Sequence, residues 1–329
     1  MTEMTGRAAI SAEARWVVPV CRARGVLSCR GPPFCAHAIM IQPFTQMKFL
    51  DAHTHVQLPA YDADRDAVIA RAREAGVSLV NVGTQASTSR AAIELAEKND
   101  DMWATVGFHP SHCNEDWYHD ADEQALPERE MFDADIFKEL AAHPKVVAIG
   151  ECGLDYYVRE PGTELSHADK KRQEEVFSSQ IEIAKAAGKP LMIHCRNAFP
   201  ELIVMLIARR SSLLAAPGII HFFAGTVDEA RSLLDIGFAF TFGGAITFPP
   251  RKGVARGAYD EIIEMLPFEA ILAETDAPYV APASRRGQRN EPAYVVEVIE
   301  KLAALKQVPV DEMAAHINAN AKRVLGIEI

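Results

Sequence analysis

Long apolar runs are missing from this chain: no stretch of its 329 residues approaches the roughly 18 consecutive apolar residues of a membrane span, so a soluble protein is expected. Paired cysteines are missing too. Cys21, Cys29, Cys35, Cys113, Cys152 and Cys195 form no CxxC unit and no zinc-ribbon spacing, which fits a reduced, cytoplasmic setting. Nor is there an excess of positive charge, since the net charge is −11. That balance argues against a broad basic surface for duplex binding, but not against a nucleic-acid enzyme whose local positive charge comes from bound divalent ions. What is there, 49% hydrophobic and 24% charged residues, is ordinary for a globular enzyme.

The first 46 residues differ from the rest. They hold five arginines, no lysine and only Glu3 and Glu13 as acids, which leaves about −14 for the remainder. An Arg-rich, acid-poor start is the composition of a transit peptide, and equally that of a mis-assigned start ahead of Met47. Residues 1–46 are therefore read as a leader outside the fold, and 47–329 as a single domain.

From Lys48 onward, short apolar runs alternate with helical patterns. The expected strands are 48–53, 78–84, 103–109, 146–151, 190–195, 218–223, 238–243 and 271–276. Helical patterns between and after them include 62–75, 88–98, 132–142, 168–187, 226–236, 254–266, 292–306 and 310–324. Alternating β and α elements call for a parallel sheet, and eight repeats favour a closed (β/α)8 TIM barrel.

Polar residues interrupt these runs near their carboxyl ends: His53 and His55, His109, Glu151, His194, His221 and Asp276. A barrel's catalytic face is built from those ends, so residues far apart in sequence converge in space. One histidine in an apolar strand is commonly a hydrogen-bonded core residue, but packing a whole ring of them without a cation leaves several buried polar groups to satisfy. His53 and His55, at i and i+2, point to one side of a strand about 6.5 Å apart. The expected arrangement gives one ion His53, His55, Glu151 and Asp276, and a second ion Glu151, His194 and His221, with Glu151 bridging. Two divalent ions follow, with Zn²⁺, Mn²⁺ or Co²⁺ suiting so much imidazole better than Mg²⁺.

The segments FLDAHTH, VGFHP, AIGECGLDYY, MIHCR, HFF, ETDAPY and RGQRNEPAYV together resemble the TatD-type metal-dependent deoxyribonucleases, a branch of the amidohydrolase superfamily. The resemblance runs from Lys48 almost to the C-terminus. It implies a TIM barrel with one to three divalent ions and phosphodiester hydrolysis on DNA, often 3′ to 5′ from single-stranded ends. The DNA substrate comes from the resemblance alone.

For that chemistry Asp276 is the candidate general base, Glu151 the carboxylate between the ions, and Glu274 or Asp51 a residue that orients a histidine. His109 and Arg196 are placed to contact phosphate, and Arg285, Arg286 and Arg289 form a basic loop expected to touch the DNA backbone. Tyr156 and Tyr157 could pack in the core or stack a base. Cys152 and Cys195 each follow a candidate ligand and should face the helices instead. One feature departs from a nuclease pattern: the segment after the third strand, SHCNEDWYHDADEQALPEREM, carries seven acids against one arginine. It either points away from the site or the substrate is not long DNA. The alternatives are a metal-dependent ester or amide hydrolase of the same superfamily, such as an aminoacyl-tRNA deacylase, and a non-catalytic scaffold, against which the full ligand set argues. No obligate protein partner is evident.

Overall fold

The computed structural model describes residues 48–160, 162–252, 254 and 256–329; the expected leader, 1–46, lies outside them. Eight strands, β1 (Phe49–Thr54), β2 (Val77–Val82), β3 (Met102–Val106), β4 (Val146–Asp155), β5 (Leu191–Arg196), β6 (Gly218–Ile220), β7 (Ala239–Phe242) and β8 (Ile271–Ala273), lie side by side in sequence order, and each pairs in parallel with the next. The helices are α1 (Arg65–Glu74), α2 (Ala86–Glu97), α3 (Ala134–Ala141), α4 (His167–Ala187), α5 (Phe199–Ala208), α6 (Val227–Ile236), α7 (Asp260–Met265), α8 (Val295–Lys306) and α9 (Val310–Leu325). This is the expected (β/α)8 barrel. The strands are buried on both faces, which is why they read as near-continuous apolar runs. Among the described residues no helix is long and apolar enough to cross a membrane.

Three boundaries differ from the sequence pattern in ways that matter. β4 runs to Asp155, four residues beyond the expected end, and so carries a second carboxylate to the barrel mouth. β6 and β8 stop early, leaving His221 and Asp276 just past their strands. Helix α5 escapes the pattern because FPELIVMLIA is apolar almost throughout and shows no polar face; Val204 and Ile207 stand exposed on it.

The barrel closes between β8 and β1. The Asp276 N–H donates to the His53 carbonyl at 2.9 Å, and the His55 N–H donates to the Ala277 carbonyl at 2.8 Å. One turn deeper the seam is held by a side chain. The fully buried Asp51 carboxylate accepts from the Thr275 N–H at 2.9 Å, from the Thr275 hydroxyl at 2.5 Å and from the His53 N–H at 3.3 Å. Asp51 therefore does not buttress a histidine ring, as expected from its position; it ties the backbone of the strand that carries His53 to the segment that carries Asp276. Burial pushes its pKa well above the ordinary carboxyl value, partly offset by the Thr275 bonds.

Replacing Asp51 by Ala strands a buried N–H and a buried hydroxyl, each at a cost of about 1–3 kcal/mol. Asp51→Ala is expected to lower stability by about 2–4 kcal/mol, read as a fall in the denaturation midpoint at constant m-value. An unchanged midpoint would contradict the role of this seam.

Candidate metal centre

At the carboxyl ends of the strands the structure brings together His53, His55, Glu151, His194, His221 and Asp276. Glu151, four residues before the end of β4, is almost fully buried, and its two oxygens face different partners. Oε2 lies 3.5 Å from His53 Nε2 and 3.8 Å from His55 Nε2. Oε1 lies 3.0 Å from His194 Nδ1 and 3.0 Å from His221 Nε2. Asp276 joins the first group, with Oδ1 at 3.6 Å from His53 Nε2 and 3.4 Å from His55 Nε2. Glu151 stands between the two sets, and His53 also packs against His221, ring centroids 3.8 Å apart, so the clusters adjoin.

Local backbone makes this convergence possible. The β4–β5 register is irregular between Ile149 and Cys152, and Gly153 adopts φ +130°, where any Cβ would collide with the His194 carbonyl. With that side of β4 clear, Glu151 and Asp155 both reach the same imidazole, Asp155 Oδ2 lying 3.1 Å from His194 Nε2. On the far side Asp276 has a φ of +57°, a conformation uncommon for a residue with a side chain and concentrated at functional sites. The buried Asn290 amide holds that turn by donating to the Thr275 carbonyl at 2.8 Å and the Tyr279 carbonyl at 2.7 Å.

Hydrogen bonding on the outer ring nitrogens fixes what faces inward. His55 Nδ1 sits 2.7 Å from the Val82 carbonyl, which only an Nδ1–H can satisfy, so in the neutral ring, the form that binds a metal, Nε2 presents a lone pair. That lone pair lies 3.1 Å from His53 Nε2 and faces two carboxylates. His221 turns Nδ1 toward the fully buried Glu274, at 3.4 Å, and Nε2 toward Glu151. Glu274 has no other partner on either oxygen. At that separation His221 Nδ1 and both Glu274 oxygens are left without a hydrogen bond. Acceptors crowded around a buried point are unfavourable alone and are satisfied together by a divalent cation, so the residues fit a metal.

The electrostatics follow from the same packing. Burial by itself would raise Glu151, but the imidazoles of His221, His109 and His194 hold it well below the usual carboxylate range. Burial likewise acts to raise Asp276, and His55, His221 and His53 bring it below its ordinary value. Burial depresses His53, whereas Asp155 and Glu151 outweigh burial at His194 and push it up to about 9.

His109 is of another kind. Its Nδ1 accepts from the Ser111 N–H at 3.2 Å, so the proton sits on Nε2, which points at Glu151 Oε1 from 3.3 Å. In this orientation it is a donor aimed into the site. Arg196 lines the same cavity and lies over the Tyr157 ring, 3.5 Å from its centroid. Tyr156 is buried and donates to Glu174 at 3.2 Å, whereas Tyr157 is exposed on the cavity wall.

Arg286 and Arg289 of the basic loop find partners within the chain. Arg289 is bound to Asp64 at 2.7 Å and to the Ala60 carbonyl at 2.7 Å, and lies over Tyr61; Arg286 lies over Phe248. Neither lines the cavity. Arg289 braces the β8–α8 segment against the β1–α1 loop, a partnership invisible to sequence because Asp64 is 225 residues away. Cys152 and Cys195 are buried and belong to none of the ligand groups, as their strand phase predicts.

The acidic segment after β3 does not point away. His112, Asp116, Tyr118, Asp120 and Glu123 line the cavity, which measures about 670 Å³ and reaches the metal centre at His55, Glu151 and Asp276. Glu123 anchors the loop: it accepts from the Thr84 hydroxyl and faces His112 Nε2 at 3.0 Å. His112 Nδ1 in turn accepts from Trp117 at 3.1 Å. Burial acts to raise Glu123, but the His112 and Thr84 contacts bring it down to about 2. Asp155 and Glu123 are residues beside the ligands that sequence reasoning missed. The signal for Asp155 was present, since at i+4 from Glu151 it shares strand phase with that residue; no local signal marked Glu123.

Comparison with known proteins shows the family. The model of the TatD-related DNase family matches residues 50–326. The uncharacterized metal-dependent hydrolase YabD of Bacillus subtilis (strain 168) is 35% identical over 280 residues, covering 84% of this chain and 98% of that protein. The 3′-5′ ssDNA/RNA exonuclease TatD of Pantoea ananatis is 33% identical over 273 residues, covering 81% of this chain and 95% of that protein. Among solved structures, the TatD homologue YjjV of Escherichia coli K12 superposes with a TM-score of 0.70 at 26% identity, covering 85% of this chain and 99% of that one. The chain belongs to the TatD-related DNase family and is a metal-dependent hydrolase.

Proposed function

We propose that the protein is a nuclease that hydrolyses phosphodiester bonds at single-stranded DNA ends in the 3′ to 5′ direction, using two divalent ions held by His53, His55, Glu151, His194, His221 and Asp276. The observation that carries this reading is the division of the Glu151 oxygens between two groups of imidazole ligands. The relatives named as 3′-5′ ssDNA/RNA exonucleases support the substrate class. Zn²⁺, Mn²⁺ and Co²⁺ suit the donor set better than Mg²⁺. A cytoplasmic setting suits the buried unpaired thiols of Cys113, Cys152 and Cys195.

When bound, such ions supply the positive charge that ionises a water and stabilises charge on phosphoryl and leaving oxygens. The protein's own groups do the rest. The Asp276 carboxylate, held ionised by its histidine neighbours, accepts the proton of the attacking water. His109 donates from Nε2 to a phosphoryl oxygen, and Arg196 offers a guanidinium fork on the same wall. Asp155 and Glu274 fix the ring planes of His194 and His221.

One observation favours a second reading. Carboxylates lining the cavity suit the ammonium group of an aminoacyl ester, so a deacylase acting on charged tRNA is the alternative. Both readings are tested by stripping the protein with chelator, reloading it with Mg²⁺, Mn²⁺ or Zn²⁺, and offering 5′-labelled single-stranded DNA beside charged tRNA. Shortening of the DNA from its 3′ end, lost on chelation and in Glu151→Gln, is the expected outcome. Intact DNA together with release of the amino acid from tRNA would replace the nuclease by the deacylase.

His109→Ala removes one donor aimed at the reacting phosphate and is expected to lower kcat on the order of 10²-fold. An unaltered kcat would remove His109 from the reaction. Residues 47–329 are further proposed to fold without residues 1–46. Deleting 1–46 should leave the melting temperature and hydrolase activity unchanged, and an insoluble or inactive product would place the boundary elsewhere.

A further inference from the structure

The cavity is larger than the ligand cluster needs, and its outer part has a composition of its own. Two arginine–tyrosine stacks line it: Arg196 over Tyr157, and Arg159 over Tyr118 with the guanidinium carbon 3.3 Å from the ring centroid. Both tyrosines are well exposed, Tyr157 at 42% and Tyr118 at 59%. The first stack is coupled to the metal centre through the backbone. Tyr157 lies two residues past Asp155, whose carboxylate accepts its N–H at 2.9 Å, and Arg196 lies two residues past His194. Two residues of extended chain span about 6.6 Å, so the stack stands one step beyond the ligands. The second stack joins the acidic loop to the segment following β4. The same loop sets Asp116 and Asp120 on the cavity lining, and Asp120 is held by the Tyr279 hydroxyl at 3.3 Å.

These groups match the parts of one nucleoside. A base presents a flat π face to aromatic and guanidinium surfaces whatever its identity. An ionised carboxylate accepts from a sugar hydroxyl and repels a phosphate, so it separates a strand that ends from one that continues. Acids that would oppose a polyanion running through the site are consistent with a strand whose last phosphate is the one being hydrolysed.

We propose that the outer cavity is a subsite for a single 3′-terminal nucleoside, its base against the Tyr157–Arg196 and Tyr118–Arg159 stacks and its free hydroxyl received by Asp116 and Asp120, which reject a further phosphate. The assignment rests on the nuclease reading above and adds to it the residues that recognise a strand end.

The full chain, reloaded with metal, is assayed on one single-stranded DNA sequence in three forms: with a 3′-hydroxyl, with a 3′-phosphate, and closed into a circle. The expected result is a rate at least tenfold higher on the hydroxyl end than on the phosphate end, and no cutting of the circle. In Asp116→Asn combined with Asp120→Asn that ratio falls below threefold. Tyr118→Ala combined with Tyr157→Ala weakens calorimetric binding of deoxyadenosine 5′-monophosphate by about tenfold, and the Phe replacements restore it. Equal wild-type rates on the two ends, an unaltered ratio in the Asn variant, or unaltered nucleotide binding in the Ala variant would overturn the subsite while leaving the nuclease intact. If none of the three DNAs is cut, the nuclease reading fails and the subsite with it.

Discussion

Glu151 is a carboxylate that has lost its water on β4, and the neighbouring side chains around the barrel mouth compensate it. Burial alone would favour its neutral form, yet imidazoles from three other strand ends, those of His221, His109 and His194, keep it ionised. Each oxygen has its own set of partners, His53 and His55 on one side and His194 and His221 on the other. A single buried charge therefore organises two ligand groups. Removing one partner of such an arrangement is strongly destabilising to it, because what remains is an uncompensated charge in a low-dielectric setting.

The fold supplies this arrangement through constraints set far from the ligands. Six of the eight strands deliver one or two polar side chains to the same rim, so their separation is governed by strand register. At the seam, Asp51 locks the backbone of Thr275 to that of β1, and Asn290 holds the turn in which Asp276 takes a left-handed conformation. On the opposite side Gly153 lets β4 and β5 approach closely enough for Glu151 and Asp155 to grip His194 from two directions. Side chains with no place in the chemistry thus determine whether the chemical ones meet.

Much of this was legible in the sequence because it is periodic. Eight apolar runs separated by helical patterns specify the barrel, and the polar residues at their ends are visible as interruptions of apolar strands. What was illegible depended on contacts between distant segments. Arg289 reads as a free cation until Asp64 is brought beside it. The acidic loop reads as a surface feature until Thr84 and His112 take hold of Glu123 and turn it over the cavity. Asp155 was hidden by the length of β4, and α5 by having no polar face to give it a period. For Arg289 and Glu123 the missing information was a partner in space rather than a propensity.

The central claim is that Glu151 lies between two cation sites rather than beside one. Anomalous diffraction from crystals grown with Zn²⁺ or Mn²⁺ tests it most directly. The account predicts two peaks flanking the Glu151 carboxylate, about 3.5–4 Å apart, one on the His53, His55 and Asp276 side and one on the His194 and His221 side. A single peak, or a pair that does not share Glu151, would contradict it.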